Sequence, residues 1–275
     1  MLLSRRLSKL PNYIRTFGAM SGIRLLFSIE RETPGTSQII KRYAAPGYTD
    51  PFYLRDSVAD HATFWQCLVM EQYDFRRFKH HERLFASYKS QVSQGKSPLI
   101  IDCGGNIGLA TRWLSQQFQE ARICVVEPDR ENFELLKMNT ACLGERVSLL
   151  NGGIWDRATK LKITNPDAGA AAFRVSEVDS NSDKGLRAYT IREICDLHGA
   201  DSPLIVKLDI EGAQSALFRS STEWVQSAHL IILELDDWLL PWCGTSREFF
   251  STVSRYPFEY LFRDECIFCF RDFNV

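Results

Sequence analysis

The spacing of apolar residues changes along this chain, and the changes divide it. Over residues 1–30 Leu, Ile and Phe fall along one side of a basic segment, which predicts helix. Residues 31–57 lose that spacing. Pro34, Gly35, Pro46, Gly47 and Pro51 predict loop with short extended pieces. Helical spacing returns from Asp60 to about Tyr88, where Phe64, Leu68 and Met70 make an apolar stripe. Phe75, Phe78 and Phe85 then sit among Arg76, Arg77, Lys79, His80 and His81. That run reads as a solvated helix face, or as a recognition surface for an acidic or sugar-rich substrate.

From Pro98 onward short apolar runs alternate with helical stretches. Leu99–Ile101, Ile123–Val126, Val147–Asn151, Leu204–Leu208 and Leu230–Leu235 have strand length and near-continuous apolarity. This alternation predicts an α/β fold, a parallel sheet with helices on both faces. Leu161–Thr164 and Ala172–Val175 read as added antiparallel strands. Phe258–Arg263 and Cys266–Arg271 read as an antiparallel C-terminal hairpin. Thr190 with Glu193 three residues on forms a capping box for a helix to about His198. The chain therefore divides into residues 1–95, a helical and loop extension serving as lid or acceptor-side wall, and residues 96–275.

The chemistry concentrates where strands end. After Leu99–Ile101 come Asp102, Cys103, Gly104, Gly105, Asn106, Ile107 and Gly108, then a helical stripe of Leu109, Trp113 and Leu114. This is a strand, a glycine turn and a helix, the opening unit of a nucleotide-binding sheet. A dinucleotide fingerprint needs glycine where Cys103 stands, and no Lys-Ser or Lys-Thr pair follows to make a phosphate-binding loop. A carboxylate ahead of the turn suits a ligand with a cationic amine rather than a pyrophosphate. The next strand ends in Glu127-Pro128, and a carboxylate there suits the two hydroxyls of a ribose. S-adenosylmethionine satisfies both requirements, its amine meeting Asp102 and its ribose Glu127. Ile154 or Trp155, past the third strand, would wall the adenine.

A second stretch, Pro203 to Gly212, ends a buried strand in Lys207, Asp209 and Glu211. Charges so placed must pair or do chemistry. A hydroxyl acceptor needs a base or a metal to become nucleophilic. Asp209 or Glu211 is the expected base or orienter, with Lys207 holding the carboxylates ionised. A divalent ion bridging Asp209 with Glu234 or Asp236 is the rival arrangement; no metal is expected. Cys266-x-x-Cys269 lies within a strand, which sends positions three apart to opposite sides and argues against zinc.

Composition narrows the partners. A net charge of −1 over 275 residues gives no reason to expect nucleic acid, and the apolar and charged shares of 45% and 24% suit a globular protein. Eight scattered cysteines without a secretory signal predict reduced thiols and a cytoplasmic location. No apolar run is long enough to span a membrane. The Leu-rich N-terminus, with Arg5, Arg6 and Lys9, predicts a packed amphipathic helix, with peripheral membrane contact as the alternative.

Together Ile101–Gly108, Val126–Pro128 and Lys207–Ala213 resemble the FkbM-type S-adenosylmethionine-dependent methyltransferases. The segment Leu54–Asp60 with Phe64 and Tyr73 is similar to that family's lead-in to its first strand. The resemblance spans roughly residues 50–240. It implies a Rossmann-like seven-stranded methyltransferase sheet, mostly parallel with an antiparallel C-terminal hairpin. It also implies methylation of hydroxyls on sugars, glycans or natural products. Asp102, Gly104, Gly105, Asn106, Gly108, Glu127, Pro128 and Ile154 would then hold the cofactor, and Lys207, Asp209 and Glu211 would serve the chemistry. One departure is that Glu234-Leu235 is followed by Asp236 where such proteins often carry histidine. A nicotinamide-dependent oxidoreductase and a non-catalytic cofactor-binding protein are the other function classes.

Overall fold

In the computed structural model, residues 6–30, 37–164, 175–178, 185–210, 213–237 and 241–273 are described. The N-terminal segment opens with two helices, α1 (Leu10–Phe17) and α2 (Ala19–Ile29), which turn on Gly18. An antiparallel ribbon follows, β1 (Ser37–Tyr43) with β2 (Phe52–Asp56). The expected helix from Asp60 to Tyr88 is broken into pieces. These are α3 (Val58–Phe64), a π-helical turn Trp65–Val69, a 3-10 turn Phe75–Arg77 and α4 (His81–Ser93). Glu71 at positive φ stands in the gap, and Asp74 accepts from the Arg76 amide to start the next turn. The break turns Gln72 and Tyr73 inward.

The remaining elements alternate. They run β3 (Leu99–Cys103), α5 (Leu109–Gln117), β4 (Arg122–Glu127), α6 (Arg130–Thr140), β5 (Val147–Ile154), β6 (Lys160–Ile163), β7 (Val175–Glu177) and β8 (Leu186–Tyr189). After them come α7 (Ile191–Leu197), β9 (Pro203–Leu208), α8 (Gln214–Leu217), β10 (Leu230–Glu234), α9 (Arg247–Val253), β11 (Phe258–Arg263) and β12 (Cys266–Arg271). Among the described residues the main sheet has ten strands in the order β11-β12-β10-β9-β3-β4-β5-β8-β6-β7. The seven expected strands are the run from β11 to β5, parallel except where β12 lies antiparallel to β10 and β11. The count of seven is corrected by three short strands on the β5 edge. There β8 pairs parallel with β5, and β6 pairs antiparallel with both β8 and β7. Of the strand expected at 172–175, residues 172–174 lie outside the described residues.

Alternation in β3 sends Ile100 to one face and Leu99, Ile101 and Cys103 to the other, so two apolar layers form. The first layer is shared with the N-terminal segment: Tyr13, Leu26, Phe52, Phe64 and Phe75 pack with Ile100, Trp113, Ile123 and Phe268. The second lies under α7 and α9. Cys266 belongs to the first layer and Cys269 to the second, so this pair does not share a side. Among the described residues no helix is long and apolar enough to cross a membrane.

Candidate active site

The carboxyl ends of β3, β4, β5 and β9 frame a half-open cleft. Its walls include Gly104, Asn106, Glu127, Pro128, Ile154 and Asp209, which had been expected, and Asn132 and Val175, which had not; Gly152 and Gly153, at the third strand tip expected to border the adenine, also line it. The glycine turn is drawn onto the neighbouring strand because the amides of Gly104 and Gly105 both donate to the Val126 carbonyl, at 2.9 and 3.0 Å. Gly104 has φ +78°, and a Cβ there would lie 1.8 Å from the Asp209 carbonyl oxygen. No larger residue fits without moving β9's end. Gly105 and Gly108 serve packing, since a Cβ would come 2.1 Å from Val125 and 2.8 Å from Leu136 respectively.

Glu127 is buried, and two backbone amides hold it. Asn106 donates to Oε2 at 2.7 Å and Asp129 to Oε1 at 2.8 Å. Burial pushes its pKa up to about 7, against the opposing pull of those amides. Pro128 follows, and Asp129 then caps α6 by accepting from the Asn132 amide at 2.8 Å. The Asn132 side chain is fixed from the N-terminal segment, where Arg55 Nη2 donates to its Oδ1 at 2.6 Å. Arg55 is itself locked in a buried ion pair with Asp60 at 2.8 Å.

Asp102 stands elsewhere than expected. It has no exposed surface and is absent from the cleft wall. Its carboxylate accepts from Thr111 at 2.6 Å and lies 3.0 Å from the Lys207 ammonium, so the amine it neutralises belongs to the chain itself. Lys207 is buried as well. It donates to the Gly104 carbonyl at 3.1 Å, stands 3.5 Å from Asp209 Oδ2, and sits 5.1 Å from the centre of the Tyr73 ring. Burial alone would lower its pKa, yet Asp102 and Asp209 hold it above the ordinary value. It stays charged beneath the cleft floor.

Asp209 remains partly exposed at the cleft, its backbone amide bonded to Cys103 and its Oδ2 accepting from the Tyr73 hydroxyl at 3.1 Å. Burial, with Asp209 beside it, raises Tyr73 well above its usual pKa, so the phenol keeps its proton and donates. Next along the chain Gln72 donates to Glu234 Oε1 at 2.5 Å, and Cys266 donates to the same oxygen at 3.5 Å. Burial, then repulsion from Asp209, pushes Glu234 up to about 8. Sequence reasoning missed Gln72, Tyr73 and Asn132 as site residues. Their only signal was the resemblance around Tyr73. Glu211 lies outside the described residues. Asp237 is bonded to Thr245 and Ser246, and no group of three or more metal-ligating side chains forms among the described residues.

Comparisons with known proteins add a family. A family model described as the methyltransferase FkbM domain matches residues 102–244, just over half of the chain. No curated protein matches. Among solved structures the chain is similar to the FkbM methyltransferase of Methylobacillus flagellatus KT, with 17% identity and a TM-score of 0.42. That alignment covers 63% of this chain and 44% of the other, so this chain spans under half of that protein. A methyltransferase from Geobacter sulfurreducens is similar at 17% identity, with a TM-score of 0.37 over 74% of this chain and 87% of its own.

Proposed function

The chain belongs to the methyltransferase FkbM family, and from that premise we propose that it transfers a methyl group from S-adenosylmethionine to a hydroxyl of a sugar, glycan or small natural product. The observation that supports this reading is one cleft lined by both Glu127 and Asp209, with a buried ammonium behind Asp209. The cradle fits the donor. Glu127, fixed by two amides, has lone pairs left for the two hydroxyls of a ribose. Gly104 and Asn106 offer close backbone approach, Gly105 and Gly108 shape that turn, and Pro128 and Ile154 supply apolar wall. Asp102 contributes indirectly, by keeping Lys207 charged and in place.

Bound there, the donor supplies an electrophilic methyl group on a good leaving group. The chain must then orient an acceptor and remove its proton. Asp209 takes the hydroxyl proton as the oxygen attacks. Tyr73 and Lys207 both engage Oδ2, which leaves Oδ1 for the acceptor. Glu234, holding its own proton at neutral pH, adds no second negative charge beside the base. Glu211 is the other carboxylate assigned to this step. Residues 1–95 act as the acceptor-side wall through Gln72 and Tyr73, and a place for the basic N-terminus at a membrane surface belongs to the same proposal.

Asp209→Asn tests the chemistry. Turnover on any responsive hydroxylated acceptor should fall on the order of a hundredfold, the usual scale for a lost general base. Near-normal turnover would make Asp209 structural. Donor binding by the wild-type protein with no turnover on any acceptor would favour a non-catalytic role.

A further inference from the structure

Helix α2 is apolar on two sides, and only one of them is used. Gly22, Leu25, Leu26 and Ile29 face inward. Gly22 packs so tightly on α1 that a Cβ would meet the Tyr13 carbonyl at 2.5 Å, which fixes the helix rotation. The outward side carries Met20 at 86% exposure, Ile23 at 42% and Phe27 at 44%, with Leu7 at 44% ahead of them. At 100° per residue Met20, Ile23, Arg24 and Phe27 share an arc of about 100°. A surface helix ordinarily carries one apolar stripe, with polar residues on the opposite face.

The charge around this stripe selects its occupant. The first 29 residues hold Arg5, Arg6, Lys9, Arg15 and Arg24 with no Asp or Glu, in a chain of net charge −1. Lys9 is neutralised by Glu30 at 2.7 Å. Arg6 lies over the Phe27 ring, 4.7 Å from its centre, at the edge of the stripe. Arg24 and Arg42 line one depression with Ser21 and Ser28, and neither forms an ion pair among the described residues. A second copy docked on the same patch would bring these arginines face to face, which like charges oppose.

We propose that the outer face of α2 docks on an anionic phospholipid surface. Leu7, Met20, Ile23 and Phe27 enter the headgroup boundary, and Arg6, Arg24 and Arg42 meet lipid phosphates. The inference deepens the membrane part of the proposed function. It is read without turnover, so it stands or falls separately from methyl transfer.

The test is co-sedimentation of the full chain with phosphatidylcholine vesicles and with vesicles also containing phosphatidylglycerol. Binding to the anionic vesicles, weakened by salt, is expected. Ile23→Ser with Phe27→Ser should reduce that binding by on the order of tenfold or more. Arg24→Gln with Arg42→Gln should remove the preference for phosphatidylglycerol. All four positions are exposed, and an unchanged thermal melt confirms that the variants fold. Absence of binding to either vesicle overturns the proposal, as does binding indifferent to Ile23 and Phe27. Competition by inorganic phosphate beyond that of chloride at equal ionic strength would instead mark a soluble-phosphate site. Sedimentation velocity showing a dimer lost in the Phe27→Ser variant, with no vesicle binding, would assign the stripe to a second copy.

Discussion

Glu127 and Asp209 line the same cleft, yet the chain supplies their surroundings by different means. Around Glu127 the partners are backbone amides, 21 and 2 residues away in sequence. Around Asp209 they are side chains: Tyr73, 136 residues away, and Lys207, itself held by Asp102 on the neighbouring strand. Glu234 nearby is held by Gln72 across 162 residues. One end is thus set by a turn that folds locally around glycines. The other is set only once the N-terminal segment has packed on the sheet. Backbone donors survive most substitutions, whereas side-chain donors vanish with one. The Asp209 end should therefore be the more fragile, and the more easily varied between related chains.

The sharpest break in this comparison is Lys207→Met. It leaves Asp102 buried without a counter-charge and should destabilise the fold by about 3–5 kcal/mol, read as a fall in chemical-denaturation midpoint. At the other end Glu127→Ala should spare the fold. It should weaken S-adenosylmethionine binding by about 2–3 kcal/mol, or roughly thirty- to a hundredfold by calorimetry. Unchanged affinity would remove Glu127 from the binding site.

Glu234 separates the two ends by pH. Its carboxyl titrates near its ordinary value when unfolded and near 8 when folded. As pH rises between those values the unfolded chain releases a proton that the folded chain keeps, so stability falls across that window. Glu127 acts in the same sense, but only up to about 7. Glu234→Gln should therefore flatten the loss of thermal stability between pH 5 and 8. An unchanged slope would contradict the raised value. Tyr73→Phe removes one neutral hydrogen-bond donor from Asp209. It should cost about 0.5–1.5 kcal/mol in turnover, roughly two- to thirteenfold, with donor affinity kept.

The same contrast governs how much was readable in advance. The glycine turn, Glu127-Pro128 and the parallel sheet follow from residues close together in sequence, as does the Thr190 cap, whose hydroxyl accepts from Glu193 at 3.0 Å. The surroundings of Asp102 were hidden for a reason of register. Asp102 on β3 and Lys207 on β9 are direct cross-strand partners, a fact invisible until β9 is known to lie beside β3. Gln72 and Tyr73 were hidden by a helical pattern that continues through them, while the π-helical turn and Glu71 break the helix there. The strand Leu186–Tyr189, four residues long, was too short to give a period; the other two added strands were read at 161–164 and 172–175, and the count of seven came from the resemblance alone.

On the proposed function the donor binds at the Glu127 end and Asp209 serves the chemistry. Calorimetric titration of Asp209→Asn with S-adenosylmethionine tests it most directly, because the substitution keeps size and removes only charge. The expected affinity is within about threefold of wild type, a difference under roughly 0.7 kcal/mol. Loss of donor binding would contradict it and move Asp209 into the cofactor site.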